Sequence, residues 1–349
     1  MTIDYIIVGL GLAGIAFAEE LKKHGKTFVV FEDQSQNSSL VAGGMYNPVI
    51  LKRFTPVWNA RAQLKVALPF YASLEKDFHK SYDQPIDIYR TFKSYEEQNN
   101  WFVACDHPLL EDYMQTEIVE IQTERIRAPF KSGRVTKTGR IKVRDLVSDY
   151  RDRLLSEGLL IEETFYHQLV ITWDDHVEYK NLKFGKVVFC EGNGLKKNPF
   201  FNKLPLKVAK GELITIHAPE LKMDYIIKSA IFIMPLGDDL YKVGATFNWS
   251  DKSNTPTAEG RLELETKLKS VLTCTYSVVD HEAGIRPTTG DRRPLLGVHK
   301  DNSRLAVFNG LGTRGVMIAP LMAKKLYRFL EEGIALDAEI SISRFKQRN

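Results

Sequence analysis

Three glycines in the stretch GLGLAG have the residue type and spacing that suit one specific chemistry. Gly9, Gly11 and Gly14 follow the apolar run IDYIIV and precede a helix-like segment. In a G-x-G-x-x-G fingerprint the first glycine permits a tight turn, the second lets a diphosphate approach the backbone, and the third lets helix and strand pack closely. The spacing therefore predicts a dinucleotide-binding turn that includes Leu12 and Ala13, the alternative being a flexible turn in an apolar N-terminus.

The elements around this turn decide between those two readings. Residues 3–8 form a continuous apolar run typical of a buried parallel strand, and Ile15, Ala18 and Leu21 give the next segment one apolar helical face that Gly25 ends. Residues 27–31 read as a second strand, closed by Glu32. We expect this carboxylate to accept hydrogen bonds from the adenosine ribose hydroxyls and to disfavour a 2′-phosphate, so the context favours a dinucleotide fingerprint.

Bulk composition limits the class of protein. The chain has 349 residues, enough for about two domains at roughly 150 residues each, and its 44% hydrophobic and 26% charged content is that of a folded globular protein. A net charge of +4, without blocks of one sign, neither requires nor excludes nucleic acid. Three scattered cysteines favour a reducing compartment, so we expect a cytoplasmic protein, and the histidines lack metal-binding spacing, so we expect no metal site.

Two further stretches carry residues that suit a bound planar ring. The polar loop at residues 34–48 contains Ala42, Gly43 and Gly44, whose small size lets the backbone lie against something flat. Near the C-terminus, FNGLGTRGVMIAPL leads into a helix with an apolar stripe. The free amides and positive dipole end of that helix are expected just after GTRG.

With these motifs, the sequence resembles the D-amino acid oxidase superfamily of FAD-dependent oxidoreductases, with glycine oxidase and the oxidase domains of tRNA-modifying enzymes as its most similar branches. The resemblance is carried by the glycine fingerprint, VAGGMYNP, GRIKVRDLVSDYRDRLLSEG, KVVFCEGNG, GIRPTTGDRRPLLG and GTRGVMIAPL. Two residues depart from the family pattern. Glu191 is found where the family usually has a small residue. Phe232 is found near the position at which many relatives have a tyrosine, and the absence of that tyrosine weakens any transfer of glycine-oxidase specificity to this chain.

The resemblance implies the cofactor and the site residues. FAD would be bound noncovalently, because EAGIRPTTGD lacks the linking cysteine of sarcosine oxidases. Arg286 would receive the substrate carboxylate, the alternative being a pair with an internal acid, and Tyr46, Lys52 and Arg53 are candidates for lining the pocket. The implied cofactor-binding residues are Gly9, Gly11, Leu12, Ala13, Gly14, Glu32, Ala42, Gly43, Gly44, Met45, Gly192, Gly312, Thr313, Arg314, Gly315 and Val316.

The implied fold is α/β, with a Rossmann-like FAD-binding domain interrupted by an α+β substrate domain that has a mostly antiparallel sheet. The FAD-binding domain would comprise residues 1–48, 138–208 and 282–349, and the substrate-binding domain residues 49–137 and 209–281.

The implied activity is oxidation of the C–N bond of a carboxylate-bearing amine or amino acid, with oxygen or another acceptor reoxidising the flavin. Three alternatives stay open at this point: a 2-hydroxy-acid dehydrogenase, an oxidase of the carboxymethylaminomethyl group of a tRNA wobble uridine, and a flavin-binding protein without turnover. A partner tRNA belongs only to the second of these, and the resemblance implies no membrane partner.

Overall fold

The computed structural model describes residues 3–121 and 124–345, which form a mixed α/β fold. The strands fall into two large sheets and two small ones, and helices pack against both large sheets. None of the helices in these residues combines the length and apolar character needed to cross a bilayer.

The α-helices are, in chain order, α1 (Leu12–Lys23), α2 (Ser38–Val41), α3 (Ala60–Phe78), α4 (Tyr95–Cys105), α5 (Val143–Ser156), α6 (Ala258–Lys269) and α7 (Gly315–Glu332). The strands are β1 (Ile3–Val8), β2 (Phe28–Phe31), β3 (Met45–Tyr46), β4 (Val49–Ile50), β5 (Thr55–Pro56), β6 (Asp83–Pro85), β7 (Ile88–Thr91), β8 (Met114–Val119), β9 (Ser132–Val135), β10 (Gly139–Ile141), β11 (Leu160–Ile161), β12 (Val170–Thr172), β13 (Val177–Tyr179), β14 (Leu182–Phe189), β15 (Leu206–His217), β16 (Ile226–Lys228), β17 (Phe232–Gly237), β18 (Leu240–Gly244), β19 (Ser277–Thr289), β20 (Leu295–His299) and β21 (Asn302–Asn309).

The first sheet is built on a parallel core in the order β11, β2, β1, β14 and β21. Its central strand β1 is apolar throughout its inner part, as expected for a parallel strand covered on both faces. Helices α1 and α7 pack against each other on this layer. Because these strands are parallel, their carboxyl ends meet at one edge of the sheet. This is the edge at which the loops of an open α/β sheet bind ligands.

The second sheet has the order β19, β15, β18, β17, β16, β7, β9 and β8, and every neighbouring pair except β16 with β7 is antiparallel. The expected α/β class with a mostly antiparallel second sheet is therefore confirmed. The domain division stays a proposal. Two of its boundaries, after residues 208 and 281, fall inside the long paired strands β15 and β19 rather than in loops.

Several predicted elements match the structure closely. The apolar face predicted for residues 139–158 is the buried face of α5, formed by Val143, Leu146, Val147, Tyr150 and Leu154. Helix α1 ends at Lys23, two residues before Gly25, which takes φ +66°. The loop expected at residues 34–48 contains the short helix α2, which the polar sequence does not signal. This helix is fixed by tertiary contacts, because Ser38 Oγ donates to the carbonyl of Ile285 on β19.

Candidate active site

A cavity of about 1220 Å³ lies where the carboxyl ends of the parallel strands face the second sheet. The ends of β1, β2 and β21 contribute Val8, Phe31 and Phe308, and the second sheet contributes Leu213 and Phe232. The following predicted cofactor-binding residues line this cavity: Gly9, Gly11, Leu12, Ala13, Glu32, Ala42, Gly43, Gly44, Met45, Gly192, Gly312, Thr313, Arg314, Gly315 and Val316. Residues far apart in the sequence are thus brought to one site, and their contact with the cofactor itself remains a prediction.

The first glycine turn shows why its three glycines are needed. Gly9 has φ +103°, and a β-carbon there would lie 2.7 Å from the carbonyl oxygen of Cys190. A β-carbon on Gly14 would lie 2.0 Å from the carbonyl oxygen of Gly9. Gly14 does not line the cavity; it allows α1 to pack against the turn. Helix α1 follows Gly11 without a side-chain cap from that residue and without an acid in its first turn. The amide of Leu12 donates to Ser39 Oγ at 3.3 Å, and the amides of Ala13 and Gly14 that follow suit an anion at this helix N-terminus.

The C-terminal glycine loop presents a second helix N-terminus to the cavity. Helix α7 begins at Gly315 after a turn in which Gly312 has φ +61°, and it too lacks a side-chain cap and a first-turn acid. Buried Tyr71 fixes this turn by donating to the carbonyl of Val316 at 2.9 Å. Burial and the charge of Arg292 lower the pKa of Arg314. This end of the cavity is therefore electropositive.

Glu32 lies at the end of β2 in the cavity wall, as predicted, but it is not alone there. Its Oε1 accepts from the amide of Gln34 at 2.5 Å, and its Oε2 forms an ion pair with Arg151 of α5. Arg151 also pairs with Glu162. The carboxylate is thus held in one orientation by an arginine more than a hundred residues away, a contact that sequence reasoning missed.

The VAGG stretch lies against the second sheet. Gly44 has φ +70°, and a β-carbon there would lie 1.9 Å from the carbonyl oxygen of Ile141. A β-carbon on Gly43 would lie 3.6 Å from the ring of Phe232, which also lines the cavity. The loop and the strand β17 therefore define two walls of the same space.

Two residues proposed as pocket-lining from the sequence do not line the cavity. Tyr46 is 4% exposed, and its hydroxyl donates to Asp83 at 2.8 Å in the core. Burial, together with the charge of Asp83, raises the pKa of Tyr46. Arg53 is exposed in the turn between β4 and β5, and its neighbour Lys52 lines the cavity instead. The two-residue strand β3 turns Tyr46 inward, an alternation that a loop-like sequence does not reveal.

Arg286 is enclosed on two sides within the cavity wall. A β-carbon on Gly211 would lie 1.8 Å from Nη2 of Arg286, and the ring of Phe247 lies 4.5 Å from its guanidinium carbon. Nη1 donates to the carbonyl of Thr246 at 3.3 Å. Burial lowers the pKa of Arg286 to about 10, so the group is charged at neutral pH. Among the described residues no carboxylate lies within 4.0 Å of it, so no such acid pairs with it.

The unusual Glu191 has a structural partner. Its carboxylate accepts from Nδ2 of Asn198 at 2.7 Å and lies 2.6 Å from Nε2 of His167, and both Glu191 and His167 line the cavity. The carboxylate of Glu191, which precedes Gly192, therefore has its own hydrogen-bond partners and is not an unpaired charge.

Gly211, Phe247 and Lys228 are among the cavity residues that sequence reasoning missed. A signal for Lys228 existed, since it is a single lysine within the apolar stretch IIKSAIFIM. Gly211 and Phe247 carry no local signal, because their significance comes from contact with Arg286.

The residues present fit FAD. The N-termini of α1 and α7 have no side-chain cap, which suits a diphosphate. The glycines would clash if they bore a side chain, and they let a flat ring lie against the backbone. Glu32 lies in the cavity wall directly after β2. Comparison with known proteins agrees. The FAD dependent oxidoreductase family model matches residues 4–328, and the chain belongs to this family. It is an FAD-dependent enzyme of the oxidoreductase class.

Individual relatives are distant. The tRNA 5-methylaminomethyl-2-thiouridine biosynthesis bifunctional protein MnmC of Marinobacter nauticus is 24% identical over 348 residues, 92% of this chain and 54% of that protein. Glycine oxidase of Bacillus subtilis is 30% identical over 135 residues, 37% of each chain. The chain therefore spans about half or less of the length of these curated relatives.

Solved structures share the fold over nearly the whole chain. Glycine oxidase from Geobacillus kaustophilus superposes with a TM-score of 0.81 at 20% identity, covering 98% of this chain and 99% of that one. Glycine oxidase from Bacillus cereus gives 0.79 at 18% identity, covering 96% of each.

Proposed function

We propose that this protein oxidises the C–N bond of a carboxylate-bearing amine or amino acid. The observation that carries the proposal is Arg286, a half-buried arginine without an acidic partner among the described residues, held in the wall of the cofactor cavity. A guanidinium fixed in this way forms two parallel, charge-assisted hydrogen bonds with a carboxylate. Arg286 therefore binds one end of the substrate and sets its orientation.

FAD, when bound, supplies the chemistry by accepting a hydride at its N5 atom. The contribution of the chain is positional and electrostatic. Arg286 holds the carboxylate so that the hydrogen beside the nitrogen has one fixed direction, and positioning of this kind supplies several kcal/mol of a barrier. The amides at the start of α7 and the nearby Arg314 stabilise negative charge at that part of the cavity wall. No side-chain base is required when the amine enters neutral.

The binding of FAD is proposed to be noncovalent. Cys190 lines the cavity, but it is fully buried, and burial raises its pKa, so the thiolate needed for attachment is disfavoured. The three described cysteines are free, which supports a reducing compartment and hence the cytoplasm.

A second candidate substrate is the carboxymethylaminomethyl group of a tRNA wobble uridine. It is favoured by the similarity to the bifunctional tRNA-modifying protein along most of this chain and by the lysines at the cavity, Lys52 and Lys267. A tRNA affinity that falls steeply with salt would support it, whereas a free amino acid oxidase needs no such affinity.

The experiment is anaerobic bleaching of the flavin absorbance by a panel of amines, amino acids and 2-hydroxy acids. We expect bleaching by carboxylated amines and none by their amides. Arg286→Met should lower kcat/KM by at least about a hundredfold, the loss expected for a charged hydrogen-bond pair of ~3 kcal/mol, and Arg286→Lys should recover only part of it. Exposed Arg261→Met on α6 is the matched control.

Two results would overturn the proposal. Equal bleaching by a carboxylated amine and its amide, or an unchanged kcat/KM in R286M, shows that Arg286 is not the anchor. Bleaching by 2-hydroxy acids alone establishes the dehydrogenase instead.

A further inference from the structure

We propose that Lys228 is a second anion-binding residue of the substrate site, and that the substrate is a carboxylated amine with a second, more distant negatively charged group. The inference deepens the proposed function and rests on it, since Arg286 is taken to receive the first carboxylate.

Strand register places Lys228 on the face of the second sheet that lines the cavity. Lys228 of β16 is paired with Phe232 of β17, and Phe232 is paired with Gly244 of β18. Gly244 is in turn paired with Leu213 of β15. Directly opposed residues of antiparallel strands project from the same face of a sheet, so Lys228, Phe232 and Leu213 share one face. All three line the cavity.

The same face carries Arg286. Its partner Ala209 on β15 is four residues from Leu213, and residues an even number apart on a strand project from the same side. The guanidinium of Arg286 then extends along β15 as far as Gly211. One continuous wall thus holds a cation at each end, with the ring of Phe232 on the wall between them.

Lys228 has no anionic partner among the residues that the structure describes. No carboxylate of residues 3–121 or 124–345 lies within 4.0 Å of its Nζ, and its side chain opens onto the cavity. The groups that face it from neighbouring elements are cationic: Arg90 on β7, Lys93 just after that strand, and Lys267 on α6. Burial and these like charges lower the pKa of Lys228 to about 8.

The nearby acids are already engaged. Glu97 forms an ion pair with Arg90 and also accepts from the amide of Lys93, and Glu263 pairs with Lys267. An incoming anion would therefore meet an ammonium that is half-buried and uncompensated, and such a charge is stabilised when a counter-charge arrives. An ordinary surface lysine is solvated and does not have this surrounding set of cations.

Sheet geometry sets the spacing of the two anions. From β15, where the guanidinium lies, to β16 there are three strand spacings of about 4.8 Å, or roughly 14 Å, and both side chains extend into the cavity between them. Glycine and other small amino acids cannot span this gap. The site fits a longer substrate whose second carboxylate or phosphate lies some way from its amine.

The test uses unreactive linear acids as molecular rulers on the FAD-loaded protein, with binding followed by perturbation of the flavin absorbance. Octanoate, which has one carboxylate, is compared with the dicarboxylates succinate, suberate and dodecanedioate. We expect one of the longer dicarboxylates to bind about ten- to a hundredfold more tightly than octanoate, and succinate to show no such gain. In Lys228→Met that gain should disappear, in Lys228→Arg it should persist, and exposed Lys183→Met is the control.

Each result bears on the proposal. Equal affinities of octanoate and all dicarboxylates for the wild-type protein would overturn it, as would a persistent gain in K228M or, in that variant, an equal loss for octanoate and for the dicarboxylate that the wild type binds most tightly. Because binding is read without turnover, this outcome is separable from the proposed function. That function fails if no amine bleaches the flavin or if R286M binds octanoate as well as the wild type does.

Discussion

The guanidinium of Arg286 lies directly on the backbone of Gly211, so close that a β-carbon at residue 211 would be 1.8 Å from Nη2. Only glycine leaves room for the arginine in this position. The two residues lie diagonally across the adjacent strands β15 and β19, where Gly211 opposes Gly284 and Ala209 opposes Arg286. The glycine is therefore part of the proposed carboxylate site although it carries no functional group.

Gly211→Ala is expected to displace Arg286 and raise KM for a carboxylated amine by about tenfold or more, because a misplaced guanidinium forfeits one of two charged hydrogen bonds. FAD content should remain that of the wild type. Steady-state kinetics alongside the flavin-to-protein absorbance ratio measure both. A variant with normal KM would show that the arginine binds from another position.

Phe247→Ala removes the aromatic ring that covers Arg286, and Phe247 is itself 58% exposed. A cation–π contact is worth about 0.5–2 kcal/mol, so kcat/KM should fall by roughly 2- to 30-fold. Phe247→Tyr should restore most of it, since a ring remains. Trp249→Ala on the same loop, outside the cavity lining, is the control. Equal losses in F247A and W249A would indicate a general effect of the loop.

Gly14→Ala should impair FAD binding without touching the cavity. Its β-carbon would lie 2.0 Å from the carbonyl oxygen of Gly9, so α1 must move away from the turn. We expect at least about a tenfold higher Kd for FAD and a lower Tm, since overpacking costs about 1–3 kcal/mol. Fluorescence titration of the apoprotein and thermal unfolding check this; wild-type values for both would refute the close packing.

Glu331 should make stability depend on pH in the acid range. Burial alone would raise the pKa of Glu331, but hydrogen bonds from Lys186, Lys26 and Tyr5 outweigh it and hold the pKa at about 2. A carboxyl with a depressed folded pKa stabilises the protein above its unfolded pKa, near 4.3, and this stabilisation is lost as pH falls toward 2.

Glu331→Gln should therefore lower the free energy of unfolding by about 1.5–3 kcal/mol at pH 7, with the difference from wild type shrinking between pH 4 and pH 2. Urea unfolding at a series of pH values measures it. A difference that is constant across this range would mean that the charge of Glu331 contributes nothing.

Acid precipitation of the purified protein should release all of its flavin into the supernatant. The reason is that the only cysteine among the described cavity-lining residues, Cys190, is buried with a raised pKa. Yellow colour that stays with the precipitate would establish a covalent link.

The sequence alone determined the elements whose signals are local. The spacing of Gly9, Gly11 and Gly14 and the apolar face of α5 follow from the period of a helix and the geometry of a tight turn, which depend on neighbouring residues only. Arg286 was also selected from the sequence, since it lies in a motif shared with a known family, and the structure places it in the cavity wall; its role stays a prediction. The choice of partner for that arginine was not determined.

Only the tertiary structure decided which side chains meet. Gly211 and Phe247 enclose Arg286 because strand pairing and a loop bring together residues about 40 and 75 positions away, and no local pattern encodes such pairing. Tyr46 was misplaced because a two-residue strand leaves too short an alternation to tell core from cavity. Lys228 became significant only through register, since a one-residue shift of β16 would turn its side chain to the opposite face of the sheet.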